Sequence, residues 1–212
     1  MSKRLPGKSH SFFPTRVYEA ALIHGAGNER LRAALEHAAL STARDDSAGR
    51  AWSAEHSYRG YTSYASLDDL VWRDPAFAEL ARHLDGHATA FARNLELDLG
   101  GRKLRLDSLW INVLEPGGAH GSHIHPGSVL SGTYYVALPA GAAGLKLEDP
   151  RLPLMMAAPP LRARARPGSR RFVELKPKPG SLLLWESWLR HEVPTSRAKQ
   201  KRISISFNFG WP

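Results

Sequence analysis

Apolar residues recur with two different spacings along this chain, and the change falls after the first hundred residues. Over 28–40 they recur at every third and fourth position, which predicts an amphipathic helix with Asn28 as its candidate N-cap. A second helix is predicted to begin near Asp74. There Pro75 suits the first helical position, and the same spacing continues to Leu95.

Two other segments show no clear period. Residues 52–70 are rich in Tyr, Ser, Gly and Trp, which favours a loop or a short strand, and Ser66 with Asp69 resembles a capping box within it. Residues 150–167 form a long insertion between predicted strands, a kind of loop that often carries function.

From Leu104 onward apolar and polar residues alternate, which is the pattern of β-strands. Because no helical pattern separates the strands, we predict antiparallel packing in a sandwich, barrel or jelly roll, with the helices against one face. We expect an α+β, mainly β fold as a single domain over 1–212, with a mostly helical support region at 1–100 and a β core at 101–212. The predicted strands are 104–114, 130–138, 145–147, 171–175, 181–185 and 202–209.

The composition is that of an ordinary folded protein. Of the 212 residues, 42% are hydrophobic and 23% charged, which excludes disordered and fibrous classes. The chain contains no cysteine, so disulfides, thiolate zinc sites, iron–sulfur clusters and cysteine nucleophiles are excluded. Any bound metal must therefore be held by nitrogen and oxygen ligands.

The charge is strongly positive, with 29 basic and 20 acidic residues and a net charge of +9, which favours anionic partners. Much of the excess lies between Leu161 and Lys178, where Phe172 is the one aromatic residue. We interpret this stretch as a solvated basic loop, because single-stranded nucleic acids need aromatic platforms. No signal peptide and no membrane-length apolar run is visible, so we expect a cytoplasmic protein without a membrane partner.

Candidate metal ligands cluster at 117–126, where His120, His123 and His125 fall within six residues. In an extended segment His123 and His125 point to the same side, so their imidazoles can share one metal ion. The alternative is a solvated loop whose histidines act only as hydrogen-bond donors.

The segment 202–208 alternates between two faces. Its apolar residues face one way, whereas Arg202, Ser204, Ser206 and Asn208 face the other. If the polar face lines the inside of a barrel, Arg202 is a semi-buried cation that needs an anion, and a dicarboxylate is the natural candidate. Otherwise Arg202 lies exposed at a strand start.

Six motifs in a fixed order resemble the 2-oxoglutarate and Fe(II)-dependent oxygenase superfamily, and are most similar to a bacterial group within it. In order they are W-I-N at 110–112, H-I-H-P at 123–126, L-S-G-T-Y-Y-V at 130–136, D-P-R at 149–151, the segment from Pro179 to His191, and R-I-S-I-S-F-N at 202–208. The resemblance implies a double-stranded β-helix, or jelly roll, buttressed by the N-terminal helices. It also implies Fe(II), 2-oxoglutarate and O2 as cofactors and cosubstrates.

The resemblance carries the metal site onto His123, His125 and His191, which would also be the catalytic centre. The usual ligand set of the superfamily is two histidines and one carboxylate, and here His125 occupies the carboxylate position. With three neutral imidazoles the metal site is one charge more positive than with two histidines and a carboxylate, which favours anionic ligands.

Other residues near these motifs also carry ligand atoms. Asp149 or Glu148 could supply the carboxylate, but a D-P-R turn is readily explained as local structure. His120 is expected to lie behind the ligands or to contact substrate. Trp185 and Trp188 flank the approach to His191 and are interpreted as core packing.

For the cosubstrate, the resemblance implies that Arg202 pairs with the distal carboxylate of 2-oxoglutarate, since a guanidinium presents a planar fork to two oxygens. Ser204 faces the same side. Likeness to prolyl-hydroxylase-like members suggests that Tyr135 donates its hydroxyl to that carboxylate and that Asn112 assists. The structural alternatives are a core aromatic for Tyr135, strand-end hydrogen bonding for Asn112, and a small core polar group for Ser204.

The expected activity is that of a dioxygenase that hydroxylates an unactivated C–H bond and releases succinate and CO2. Its substrate is a small molecule or a peptidyl residue. Two alternatives stay open: a three-histidine dioxygenase that uses no 2-oxoglutarate, with Arg202 holding its substrate's carboxylate, and a non-catalytic, metal-containing β-barrel that binds an anionic partner.

Overall fold

The computed structural model describes residues 7–211, and ten strands, four α-helices and two short 3-10 helices lie in this range. The helices are α1 Ala26–Asp45, α2 Ser47–Glu55, α3 Leu70–Arg73 and α4 Pro75–Asn94. The strands are β1 Val17–Ala21, β2 Gly60–Thr62, β3 Arg105–Leu114, β4 His120–His123, β5 Leu130–Ala137, β6 Leu145–Glu148, β7 Phe172–Leu175, β8 Ser181–Glu186, β9 His191–Val193 and β10 Arg202–Gly210.

The strands form two antiparallel sheets. The larger has six strands in the order β1-β8-β5-β10-β3-β2, and the smaller has four in the order β4-β9-β6-β7. The prediction of a mainly β, antiparallel fold with few helices is therefore confirmed. None of the helices described over residues 7–211 is long and apolar enough to cross a bilayer.

The large sheet buries its two faces against different partners. On β10, Ile203, Ile205 and Phe207 belong to the main hydrophobic core, which also contains the apolar residues of α1 and α4. The helices therefore cover one face of this sheet, as predicted. Because side chains alternate along a strand, Arg202 and Ser204 face the other way, toward the smaller sheet.

A second, smaller core joins the two sheets. Tyr135, Leu183 and Trp185 of the large sheet pack there with Leu145 and Leu147 of the small one. The sheets thus face each other across a layer that is apolar at this position and polar along β10.

Two cap predictions are wrong, although both helices exist. Helix α1 begins at Ala26 after Gly25, whose positive φ of 75° turns the chain into the helix, and the Asn28 amide instead donates to the Gly180 carbonyl at 3.1 Å. Ser66 does not cap α3, because its hydroxyl donates to Asp46 at 2.6 Å.

The start of α4 matches its prediction. Asp74 is the N-cap and accepts a hydrogen bond from the Ala76 amide at 2.8 Å, and Pro75 is the first helical residue. The elements that periodicity does not reveal are short: β1, α2, β2, α3, β4 and β9.

Candidate metal centre

Three histidines converge where β4 and β9 meet. His123 and His191 are directly opposite each other in this antiparallel pair, so their side chains share a face, and their ring centroids are 4.3 Å apart. His125 follows β4, and its backbone N–H donates to the Ser187 carbonyl at 3.0 Å, which ties this loop to the end of β8. The candidate ligand atoms of the three residues all lie within 4.8 Å of one another.

Backbone carbonyls orient two of these rings. The Nδ1 atom of His123 lies 2.7 Å from the Gly121 carbonyl oxygen, and that of His191 lies 2.8 Å from the Leu189 carbonyl oxygen. Because a carbonyl only accepts, Nδ1 carries the proton in both rings, and the Nε2 lone pair is left for a metal. Such contacts behind the ligands are typical of histidine metal sites.

Burial keeps the three rings uncharged at neutral pH. Desolvation lowers the pKa of His125 to about 4 and that of His191 to about 3, and it also lowers the pKa of His123. Neutral imidazole is the form that binds metal, so this donor set fits a divalent transition metal such as Fe(II). The converging group contains no carboxylate among the described residues.

The three histidines line a cavity whose wall contains residues of both sheets. The cavity is lined by Tyr58, Trp110, Asn112, Leu114, His120, His123, His125, Gly132, Thr133, Leu145, Trp185, His191, Val193, Arg202, Ser204 and Ser206.

Arg202 is a buried cation in this wall, with only 2% of its surface exposed. Its Nε donates to the Ala143 carbonyl at 3.2 Å and its Nη1 to the Ser204 hydroxyl at 2.9 Å, so both acceptors are neutral. Within 7–211 no acidic side chain pairs with it. Burial lowers the pKa of this guanidinium, yet arginine stays charged in proteins, so the cavity favours an anionic occupant.

Tyr135 lies beside Arg202 but outside the cavity wall. The guanidinium carbon is 5.4 Å from the centroid of the tyrosine ring. The Tyr135 hydroxyl is fully buried and meets no hydrogen-bond partner in the described part of the chain. Burial raises the pKa of Tyr135 to about 12, which keeps this group a neutral donor.

Asn112 is engaged by protein groups. Its Oδ1 accepts from the Thr62 hydroxyl at 3.0 Å and the Tyr58 hydroxyl at 3.3 Å, and its Nδ2 donates to the Ser206 hydroxyl at 3.1 Å. Asn112 therefore holds β2, β3 and β10 together and presents little free hydrogen-bonding capacity to the cavity.

The remaining candidates fall outside the converging group. His120 lines the cavity, with its ring centroid 4.5 Å from that of His123, but it is not one of the three converging ligands. Asp149 accepts two hydrogen bonds from the Arg151 guanidinium, at 2.9 and 2.8 Å, as its interpretation as local structure requires. Glu148 and Asp149 both line a separate groove.

The two tryptophans near His191 differ. Trp185 is 1% exposed and belongs to the core between the sheets, whereas Trp188 is 47% exposed, so the prediction of core packing is wrong for Trp188. It lies in the turn between β8 and β9, after the buried alternation has ended.

Three residues of the cavity wall that carry hydroxyl groups are not identified as site residues by the sequence: Tyr58, Thr133 and Ser206. The period-two pattern could have identified Ser206 and Thr133, since they share strand faces with Arg202 and Tyr135. Tyr58 carries no such signal, because it lies in an aperiodic loop and reaches the cavity only through the pairing of β2 with β3.

Together these features define a class: an antiparallel β protein with three neutral imidazoles and a buried arginine facing one internal cavity. Residues 108–208 match the model of a family described as "Putative 2OG-Fe(II) oxygenase". This match confirms the resemblance to the 2-oxoglutarate and Fe(II)-dependent oxygenases, and its range contains every residue predicted for the site. No protein of curated function is significantly similar in sequence to the chain.

Three solved structures illustrate the similarity in fold. The α-ketoglutarate-dependent epimerase SnoN of nogalamycin biosynthesis is 15% identical, with a TM-score of 0.61 over 93% of this chain and 77% of its own. A Pseudomonas putida prolyl-4-hydroxylase is 16% identical, with a TM-score of 0.54 over 93% and 94%. HygX from Streptomyces hygroscopicus, solved with nickel, 2-oxoglutarate and hygromycin B, is 17% identical, with a TM-score of 0.59 over 93% and 83%.

Proposed function

We propose that this protein is an Fe(II)- and 2-oxoglutarate-dependent dioxygenase with a double-stranded β-helix core, folded as one domain. The observation that carries the proposal is Arg202, a buried cation without an acidic partner among residues 7–211, in the wall of the cavity that the three histidines also line. A dicarboxylate fits both the histidine cluster and the buried guanidinium, because one carboxylate can bind the metal while the other pairs with Arg202.

His123, His125 and His191 are the proposed metal ligands. Fe(II) and bound 2-oxoglutarate would supply the activation of O2, with release of succinate and CO2. The three imidazoles are neutral, so they compensate none of the charge of a divalent ion. An anionic cosubstrate is therefore attracted more strongly to this site than to a site with a carboxylate ligand.

Arg202 and its neighbours are the proposed cosubstrate pocket. The hydrogen bond to Ser204 holds one arm of the guanidinium in place, which leaves the rest of the fork for a carboxylate. Tyr135 is the second proposed donor, because its ring lies 5.4 Å from the guanidinium carbon and its buried hydroxyl requires an acceptor. The proposed role of Asn112 is to hold the strands of the cavity wall in place, since protein groups already occupy most of its hydrogen-bonding capacity.

Hydroxylation of an unactivated C–H bond is the proposed reaction. Proteins with a similar fold include a prolyl-4-hydroxylase and an epimerase, so the fold is compatible with more than one reaction. The substrate is proposed to be a small molecule or a peptidyl residue that binds beside the three histidines.

The test is an anaerobic titration of the Fe(II)-loaded protein with 2-oxoglutarate, followed by the visible charge-transfer band of a 2-oxo acid bound to ferrous iron. A saturable band is expected in the wild type, and Arg202→Ala should keep its iron but require a much higher 2-oxoglutarate concentration. Lys201→Ala is the matched control, because Lys201 is the neighbouring cation but 52% of its side chain is exposed. No band from iron-loaded protein would contradict the proposal.

A second candidate is a three-histidine dioxygenase that does not use 2-oxoglutarate. It is favoured by one observation, the histidine in place of the usual carboxylate at position 125. In that case Arg202 would hold the carboxylate of the substrate itself. Stoichiometric iron, no charge-transfer band and no 2-oxoglutarate consumption in air would support this alternative.

A further inference from the structure

Trp185 has a buried hydrogen-bond donor with no partner. It lies on β8, is 1% exposed and lines the cavity, and its ring centroid is 4.7 Å from that of His191 at an angle of 64°. Its Nε1 meets no acceptor in the part of the chain from 7 to 211. Trp185 and Tyr135 are the two residues there whose buried side-chain polar atoms lack a partner.

The residues around the indole explain why its N–H has no hydrogen-bond acceptor within the protein. Trp185 packs in the smaller core with three leucines of β6 and β8, Leu145, Leu147 and Leu183, which offer no side-chain acceptor. The nearest polar residue on the adjacent strand is Ser131, which lies opposite Trp185 in the register. Its hydroxyl already bonds to Ser187 and Asn208, each at 2.7 Å.

An indole N–H only donates, and a buried donor without an acceptor is destabilising. Buried polar groups in native proteins are nearly always satisfied, so an orphan in a cavity wall indicates an acceptor that arrives with a ligand. Here the indole lies beside the imidazole of His191, and an ion on the three imidazoles would hold anionic oxygen atoms nearby.

We propose that the Trp185 Nε1–H donates a hydrogen bond to an anionic oxygen of the 2-oxo acid bound at the histidine cluster. The inference rests on the proposed function and makes Trp185 a cosubstrate-binding residue beside His191, while Arg202 binds the distal carboxylate. Because Trp185 and Arg202 line the same cavity, two donors that each take one carboxylate would favour a dicarboxylate over a monocarboxylate.

The test uses tryptophan labelled with 15N at the indole nitrogen, in the intact protein loaded with Zn(II) as a diamagnetic ion. The chain contains six tryptophans, and the Trp185 resonance is assigned as the signal lost in Trp185→Phe. Addition of 2-oxoglutarate should move this resonance downfield and slow its exchange with water, whereas Zn(II) alone should not.

Affinity provides the second measurement. By calorimetry, Trp185→Phe should bind 2-oxoglutarate to the Zn(II) protein about tenfold more weakly, because a hydrogen bond to a charged group is lost while the ring remains. Trp188→Phe is the control and should bind as the wild type does. If Trp185→Phe does not fold, the resonance is assigned instead by substituting the other five tryptophans in turn.

The outcomes separate this inference from the proposed function. If 2-oxoglutarate binds to the wild type but the Trp185 resonance does not move, or Trp185→Phe binds it with unchanged affinity, the inference is wrong and the function stands. If 2-oxoglutarate binds to neither the Zn(II) nor the Fe(II) protein, both are overturned.

Discussion

Replacement of Arg202 by methionine should make the ligand-free protein more stable. The guanidinium is 2% exposed and has two neutral hydrogen-bond partners but no carboxylate, so the folded protein carries the desolvation of a charge without the compensating ion pair. Replacement of a buried ion pair by apolar residues of similar size is often neutral or stabilising by about 1–4 kcal/mol, and an unpaired buried charge lacks even the attraction that offsets its desolvation. Methionine has a similar length and no charge.

The two lost hydrogen bonds reduce this gain. The Ala143 carbonyl and the Ser204 hydroxyl each lose a donor, at about 1 kcal/mol apiece. The free energy of unfolding should therefore rise by about 0.5 kcal/mol, with a range of roughly −1 to +2 kcal/mol. Each kcal/mol corresponds to a change in Tm of about 2–4 °C for a domain of this size.

Ligand should reverse the order of stability. Zn(II) should stabilise both proteins alike. From 2-oxoglutarate at about 100 times Kd the wild type should gain about 2.7 kcal/mol more, whereas the variant should gain little. The assay is thermal unfolding of wild type, Arg202→Met and the exposed control Lys201→Met, with and without 2-oxoglutarate.

One result would refute the reasoning. If Arg202→Met lowers the free energy of unfolding of the ligand-free protein by about 3–5 kcal/mol, the effect is that of breaking a buried ion pair. Arg202 would then be satisfied within the protein, and the cavity would not require an anion.

Three further predictions follow from the same geometry. His125→Asp recreates the common two-histidine, one-carboxylate set and should keep stoichiometric Fe(II); complete loss in metal analysis would show that the third imidazole is required. The metal-free protein should lose stability as the pH falls below about 6.5. In the folded state the pKa values of His125 and His191 are lowered to about 4 and about 3, so these residues take up protons only after unfolding. The loss should be at most about 1.4 kcal/mol per pH unit for each histidine. Equal urea midpoints at pH 7 and pH 5 would contradict this. Gly132→Ala should lower the Tm, because the new Cβ would lie 2.5 Å from ring atoms of Phe207 and overpacking costs about 1–3 kcal/mol; an unchanged Tm would be inconsistent with this packing.

The long strands were predictable because each buries one face completely. On β10 the alternation of Arg202, Ile203 and Ser204 distinguishes an apolar face from a polar face, and both lie where the pattern requires. The helix that begins at Pro75 was predictable for the corresponding reason, since its apolar stripe and its Asp74 cap are both local features.

The short elements were not predictable from periodicity. Strands β4 and β9 have four and three residues, too few for a period, and their pairing is what brings His123 opposite His191. The histidines could be named from their motifs, but their convergence is a property of this long-range pairing. Tyr58 is a similar case, because its position depends on the register between β2 and β3.

Which side chains have hydrogen-bond partners could not be predicted from the sequence either. Trp185 is a core residue, as its place at the end of a run of leucines suggests, but only the arrangement of its neighbours shows that its indole N–H lacks an acceptor. The same holds for Asn112, whose hydrogen bonds to Thr62 and Ser206 join strands that are far apart in the chain.

The most direct test of the account is a crystal structure of the protein prepared anaerobically with Fe(II) and 2-oxoglutarate. The account predicts one iron ion bound by His123, His125 and His191, and one 2-oxoglutarate whose distal carboxylate contacts the Arg202 guanidinium. Iron at other residues, or a 2-oxoglutarate that leaves Arg202 without a carboxylate, would contradict the central claim.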